Sequence, residues 1–252
     1  MTWISMISLS VQAQPRFQMY HPSHLIWILI LLALTIILWL TRHVIQKSPS
    51  IRLRIRWVLI SAMIIPQLIL YGIYTIQATW DPRVHLPLEL CSITLYLSCI
   101  MLITRSYFLY QIMVFAGIGG AMQAILTPNL LEPYPDFIYF HFFVCHLAIV
   151  LASLYMTWGE NYRPRLRSIG ITMIFLNVLA ILVGTANWLL DANYMFLAYK
   201  PTTPSILDFL GPYPYYLLAE EIVALFIFFV IYVLLGQKRK SNNDTQWRRD
   251  NE

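Results

Sequence analysis

The chain has 252 residues, of which 59% are hydrophobic, 15% aromatic and only 12% charged, with a formal net charge of +5. Soluble domains carry about twice that share of charged residues. Such a composition, drawn into long apolar runs, excludes a water-soluble enzyme, a disordered segment and a nucleic-acid binder, and predicts an all-α polytopic membrane protein.

Seven runs approach or exceed the ~18 apolar residues that cross a bilayer as a helix. In chain order they are His24–Arg42, Trp57–Gln77, Leu88–Thr104, Tyr107–Thr127, Phe137–Trp158, Ile169–Leu190 and Tyr213–Leu235. Turn formers, charges and prolines punctuate them, at Lys47–Pro49, Asp81-Pro82, Pro128-Asn129, Arg163-Pro164 and the Pro201/Pro204/Pro212 stretch. The third run is short and contains Glu89. The fourth holds Gly117-Ile118-Gly119-Gly120-Ala121, where Ala116/Gly120 and Gly117/Ala121 have the small-xxx-small spacing that lets helix backbones approach in lipid. With no lysine after it, this glycine run is not a phosphate loop.

The expected organisation is a seven-transmembrane helix bundle over residues 24–235. It is preceded by an N-terminal extracellular lead-in, residues 1–23, and followed by a polar cytoplasmic tail, residues 236–252. Met1–Ala13 ends in Val11-Gln12-Ala13 but has no basic n-region, so it reads as uncleaved. Orientation follows from the basic residues. Arg42, Lys47, Arg52, Arg54, Arg56, Arg105, Arg163, Arg165 and Arg167, with five more in the tail, fall on one side, fourteen of the seventeen Lys and Arg. Arg16, Arg83 and Lys200 fall on the other. The positive-inside rule makes the chain N-out and C-in. The expected location is the cell membrane, multi-pass, and the net charge is explained by topology rather than by an anionic partner.

Polar groups inside the spans are costly and so are functional candidates. Counted from the run ends, Glu89, Cys91, Gln123, His141, His146, Asn187, Glu220 and Glu221 all fall in the outer half, whereas Gln67, Gln111 and Asn177 fall in the inner half. This distribution predicts a cavity open to the outer leaflet or the extracellular face. A lone intramembrane Gln or Asn also serves as interhelical glue, and His141 sits where it can reach headgroups. Glu220 and Glu221 point about 100° apart on a helix, so at least one faces the bundle.

The three cysteines, Cys91, Cys99 and Cys145, form no disulfide framework. His141 and His146 lie on different helix faces and no HExxH motif is present, so neither a metal nor another cofactor is expected. All four lysines lie outside the spans, which excludes a retinal Schiff base. Cys91 stands apart at the rim of its span, at a depth that a histidine of the fifth span can share. A thiol beside an imidazole can become a nucleophile, although a small packing residue is the plainer reading from spacing alone.

Four segments, Leu86–Cys91, Pro135–His146, Asn193–Leu197 with Lys200-Pro201, and Leu210–Tyr216, resemble the YwaF-type bacterial integral membrane family, which is related to the eukaryotic transmembrane protein 164. The resemblance covers residues 20 to 237. It implies seven spans and, through the eukaryotic branch, a lipid acyltransferase whose cysteine and histidine correspond to Cys91 and His146. The family commonly has histidine where this chain has Glu89. The expected activity is thiol-dependent phospholipid acyl transfer on membrane lipids, with no nucleic-acid or soluble protein partner. Asn187, Asn193 or Gln123 is expected to donate to the oxyanion, and Lys200, in the long connection from Asp191 to Pro212, to meet a phosphate. The competing class is a non-enzymatic transporter or small-ligand receptor in which Glu89, His146, Glu220 and Glu221 bind a cation or relay protons. No inverted repeat and no broken span favour that alternative.

Overall fold

Prolines and small polar caps set the helix limits in the computed structural model, which describes residues 17–201 and 206–236. Most of the expected lead-in and all but the first residue of the expected tail lie outside the described residues. Seven helices follow in chain order: α1 (Pro22–Lys47), α2 (Pro49–Ile76), α3 (Leu90–Thr104), α4 (Tyr107–Leu126), α5 (Phe137–Trp158), α6 (Leu166–Leu190) and α7 (Tyr215–Leu235). Six are long and apolar enough to cross a membrane, and α3, with 15 residues, is shorter. The protein is therefore an all-α polytopic membrane protein.

The first connection differs from expectation. A loop was expected from residue 43 to 56, yet Ser48 alone separates α1 from α2. Its hydroxyl accepts from the Ile51 N–H (3.4 Å), and Pro49 occupies the first helical position, where a missing N–H costs nothing. Arg52, Arg54 and Arg56 thus lie on the first turns of α2. An apolar-run criterion stops at charges, but a helix continues through them once it has left the hydrocarbon.

The helix α4 carries a π turn, Met113–Gly117, in which the Ile118 N–H reaches back to the Met113 carbonyl. The Ser153 hydroxyl on α5 donates to that same carbonyl (3.0 Å), which stabilises the irregular turn from outside the helix. The glycines that follow bring α4 close to three neighbours. A Cβ at Gly117 would lie 3.3 Å from Ile149 of α5, one at Gly119 3.3 Å from Phe228 of α7, and one at Gly120 3.4 Å from Leu90 of α3. The expected packing role of the small residues is what the structure displays.

The centre of the bundle is α4 and α5, whose apolar windows are 67% and 61% buried, against 11–22% for α1, α2, α6 and α7. The four outer helices turn rows of exposed leucine, isoleucine, valine and phenylalanine outward, as lipid-facing helices do. Polar ties cross between helices at several levels. His24 of α1, fully buried, bonds through Nε2 to the Ile125 carbonyl of α4 (2.7 Å), and Tyr139 of α5 donates to the Ser23 carbonyl (2.7 Å). Ser168 of α6 donates to Gln111 Oε1 of α4 (2.8 Å), and Gln46 of α1 to the Trp158 carbonyl of α5 (2.7 Å).

The short helix α3 has its ends tied to the two connections that flank α6. At its start, Glu89 accepts from Met195 in the α6–α7 connection. At its finish, the Arg105 carbonyl accepts from the Tyr162 hydroxyl in the α5–α6 connection (2.6 Å), and the Leu102 carbonyl from Arg56 of α2 (3.4 Å).

Candidate functional site

The first half of the site is assembled by the connection after α6. The helix ends at Asp191, whose φ of +53° is left-handed, the usual way to leave an α-helix. Asn187, buried in its last turn, then holds the chain with both ends of its amide: Nδ2 donates to the Tyr194 carbonyl (2.9 Å) and Oδ1 accepts from the Tyr194 N–H (2.8 Å). This pin directs the Tyr194 side chain into the protein, where it is only 2% exposed. Its hydroxyl donates to the Pro82 carbonyl and accepts from the Leu86 N–H, both at 2.8 Å, and so joins the α6–α7 connection to the approach to α3.

Three further contacts fasten the same connection. Glu89, the residue that caps α3 by position, uses Oε2 to accept from the Met195 N–H (3.0 Å). The Tyr216 hydroxyl of α7 donates to the Phe196 carbonyl, and the Lys200 ammonium stands 5.6 Å from the centre of the Tyr216 ring. Asn193 organises the turn internally, with Nδ2 donating to the Tyr199 carbonyl (2.8 Å) and Oδ1 accepting from the Ala198 N–H (2.9 Å). Three of the four segments singled out in sequence thus meet at one end of the bundle, over the first turn of α3. Cys91 lies in that turn, half-buried and free.

The fourth segment is on α5. His146 is buried, and its Nδ1 lies 2.6 Å from the Phe142 carbonyl one turn back. A carbonyl only accepts, so Nδ1 carries the proton and Nε2 presents a lone pair. That Nε2 is buried and has no hydrogen-bond partner among the described residues. The Phe142 ring covers the imidazole at a centroid distance of 4.2 Å. No hydrogen bond therefore joins His146 to Cys91, although α3 packs directly on α5.

The chain matches the TMEM164 family over residues 19–232. It belongs to that family. No curated protein and no solved structure gives a significant match to it.

The other expected site residues of this TMEM164-family protein each have a defined position in the bundle. Gln123 is exposed on the bundle surface. His141 bonds through Nε2 to Gln67 Oε1 of α2 (2.9 Å), so the two tie α5 to α2. That bond puts Gln67 level with His141 along the bundle. Glu221 accepts from Asn177 Nδ2 of α6 at 3.2 Å to each carboxylate oxygen. Glu220 is half-buried on α7 one turn from Tyr216. Among the described residues no group of three or more His, Cys, Asp or Glu side chains is placed to share a metal ion.

The residues missing from the sequence-based site are Tyr194 and Tyr216. Both belong to the segments that carry the family resemblance, but their part depends on which carbonyls the folded connection offers them. A tyrosine flanked by turn formers in an otherwise apolar chain is the only signal the sequence contains.

Proposed function

We propose that the protein moves acyl chains between membrane lipids through a thioester on Cys91, with His146 as general base. The observation that carries this reading is the state of His146. Its Nδ1–H is committed to the Phe142 carbonyl, and its Nε2 lone pair is buried with no donor among the described residues. A buried acceptor left without a donor is uncommon and costs about 1–3 kcal/mol; a base awaiting a proton is a reason to keep one.

In the proposed reaction the acyl donor lodges between α3 and α5 and brings the Cys91 thiol into reach of Nε2. The thiol proton passes to Nε2 as sulfur attacks the ester carbonyl of the lipid. The tetrahedral adduct collapses with cleavage of the acyl C–O bond, and Nε2–H returns the proton to the departing lipid alkoxide. A second lipid hydroxyl, or water, then gives its proton to Nε2 and attacks the thioester. The sulfur leaves as thiolate and recovers the proton. Lys200, held over Tyr216, meets the phosphate of the donor headgroup in this scheme. Glu89, Asn187 and Asn193 act by fixing the connection that covers the site.

The same reading includes seven crossings, N-out and C-in, in the cell membrane. What supports the seventh is the pair of ties at the ends of α3. The α5–α6 and α6–α7 connections are separated by the 25 residues of α6, and α3 reaches both.

The test is acyl exchange between labelled phospholipid and lysophospholipid by the purified protein in vesicles. Cys91→Ser and His146→Gln, inserted and folded as the parent, are each expected to lower the rate by at least ~100-fold, and the acyl chain should be trapped on Cys91 as a hydroxylamine-labile adduct. Full exchange by either variant overturns the proposal.

A further inference from the structure

The opposite end of the bundle carries a second built feature. Three tyrosines pin the α5–α6 connection. Tyr107 donates to the Arg163 carbonyl (2.9 Å), Tyr110 to the Tyr162 carbonyl (3.3 Å), and Tyr162 to the Arg105 carbonyl (2.6 Å). Their rings meet edge to face, Tyr162 lying 5.7 Å from Tyr107 and 5.4 Å from Tyr110. Held in this way, Tyr107, Asn161, Tyr162, Arg163 and Arg165 line an open cavity of ≈ 220 Å³.

The cavity is short of negative charge. The nearest acidic residue in sequence, Glu160, is engaged by Arg52 (3.2 Å) and by the Tyr155 hydroxyl (2.6 Å). Neither Arg163 nor Arg165 has a carboxylate within ion-pair distance among the described residues. Arg165 rests against the Tyr107 ring, 5.9 Å from its centre. Both lining hydroxyls have already given their protons to backbone carbonyls, so the cavity offers mainly guanidinium and amide N–H donors. The first turn of α6 begins at Leu166 beside it and adds the positive end of a 25-residue helix. A ligand that answers such a site is compact, carries two negative charges and consists of acceptor oxygens.

We propose that this cavity binds a phosphate monoester group. The positive-inside rule explains why arginines collect at this end; it does not explain a concave site whose backbone is fastened by three tyrosines. Exposed Phe108 and Leu166 adjoin Tyr107 and Arg165 in sequence and offer an apolar seat for acyl chains, which suits a phosphatidic-acid-like headgroup in the adjacent leaflet. Free phosphate shares the recognition chemistry.

The test uses the full chain in phosphatidylcholine nanodiscs doped with phosphatidic acid or phosphatidylglycerol, with retained lipid counted by native mass spectrometry. Phosphatidic acid is expected to be retained in preference to phosphatidylglycerol, and Arg163→Gln with Arg165→Gln to lower that retention about tenfold or more. Arg54→Gln, an exposed cation at the same end, should leave it unchanged. Exposed Arg165→Gln alone gives a second reading should the double variant misfold, with an expected loss of about threefold or more. Displacement by millimolar inorganic phosphate identifies the free anion as a competent ligand, and retention that resists it assigns the site to the lipid. Retention that is equal for the two lipids, unchanged in the arginine variants, or lowered as much by Arg54→Gln overturns the proposal.

Discussion

A histidine whose Nδ1–H is tied to a carbonyl on its own helix has its second nitrogen fixed as an acceptor, and the orientation of His146 is therefore a property of α5 alone. Glu89 presents the contrasting case, a side chain whose part is to hold another segment. Its carboxylate accepts one backbone N–H, that of Met195, and an amide oxygen can do the same. Glu89→Gln is accordingly expected to keep acyl exchange within about threefold, whereas Glu89→Ala frees the connection and lowers the rate further, a net hydrogen bond of this kind being worth about 0.5–1.5 kcal/mol. A loss with Glu89→Gln as large as with Glu89→Ala would make the carboxylate a proton carrier instead. Tyr194→Phe removes the hydroxyl from two backbone partners at once, Pro82 and Leu86. It should lower the melting temperature in detergent and speed proteolysis of the 191–201 segment. An ionisable or nucleophilic group in an apolar run stands out by contrast, which makes Cys91 and His146 candidates, and the family resemblance is what pairs them. Sequence could not show that both ends of the Asn187 amide turn back onto Tyr194, because that depends on a turn with no periodicity to read.

The helix α4 was legible in sequence as a span and as a packing surface, and illegible as a bent one. Its glycines announced close approach, but the π turn at Met113–Gly117 follows from a hydroxyl on a different helix, Ser153, which no local pattern reveals. The glycines divide into two kinds that thermal stability should separate. Gly117 and Gly119 already have side-chain atoms at 3.3 Å from the position of an added Cβ, while Gly170 and Gly184 on α6 have nothing within 4 Å. Gly117→Leu and Gly119→Leu are expected to destabilise by about 1–3 kcal/mol through overpacking against α5 and α7. Gly184→Leu, facing lipid, should be neutral or stabilising by a few tenths of a kcal/mol through better helix propensity. Melting in detergent measured for all three decides whether the small-residue run is an interface. Equal melting temperatures would show that α4 is not held by close approach.

For the whole molecule the distribution of charge and the direction of the helices must agree. Fourteen of the seventeen Lys and Arg gather on one side by sequence, and the helical residues Arg52, Arg54 and Arg56 extend that basic end onto α2 rather than into a loop. The weak point in reading the topology is α3, whose 15 residues span only about 22 Å as a helix, less than the ~30 Å hydrocarbon core. If α3 crosses, the α2–α3 and α4–α5 connections share one side and the α1–α2 and α3–α4 connections the other. If it turns back, α2–α3 and α3–α4 fall together and α4–α5 changes sides. Single cysteines in a background lacking Cys91, Cys99 and Cys145 separate the two arrangements. With a membrane-impermeant maleimide applied to intact cells, Val84→Cys and Leu131→Cys are expected to label at once, and Lys47→Cys and Arg105→Cys only after permeabilisation. The four sites sit at exposed positions on their connections or helix ends, so access rather than burial governs the reaction. Labelling of Arg105→Cys together with Val84→Cys, and not Leu131→Cys, would make α3 re-entrant. The first turn of α3, with Cys91, would then lie within a hairpin that never reaches the far leaflet.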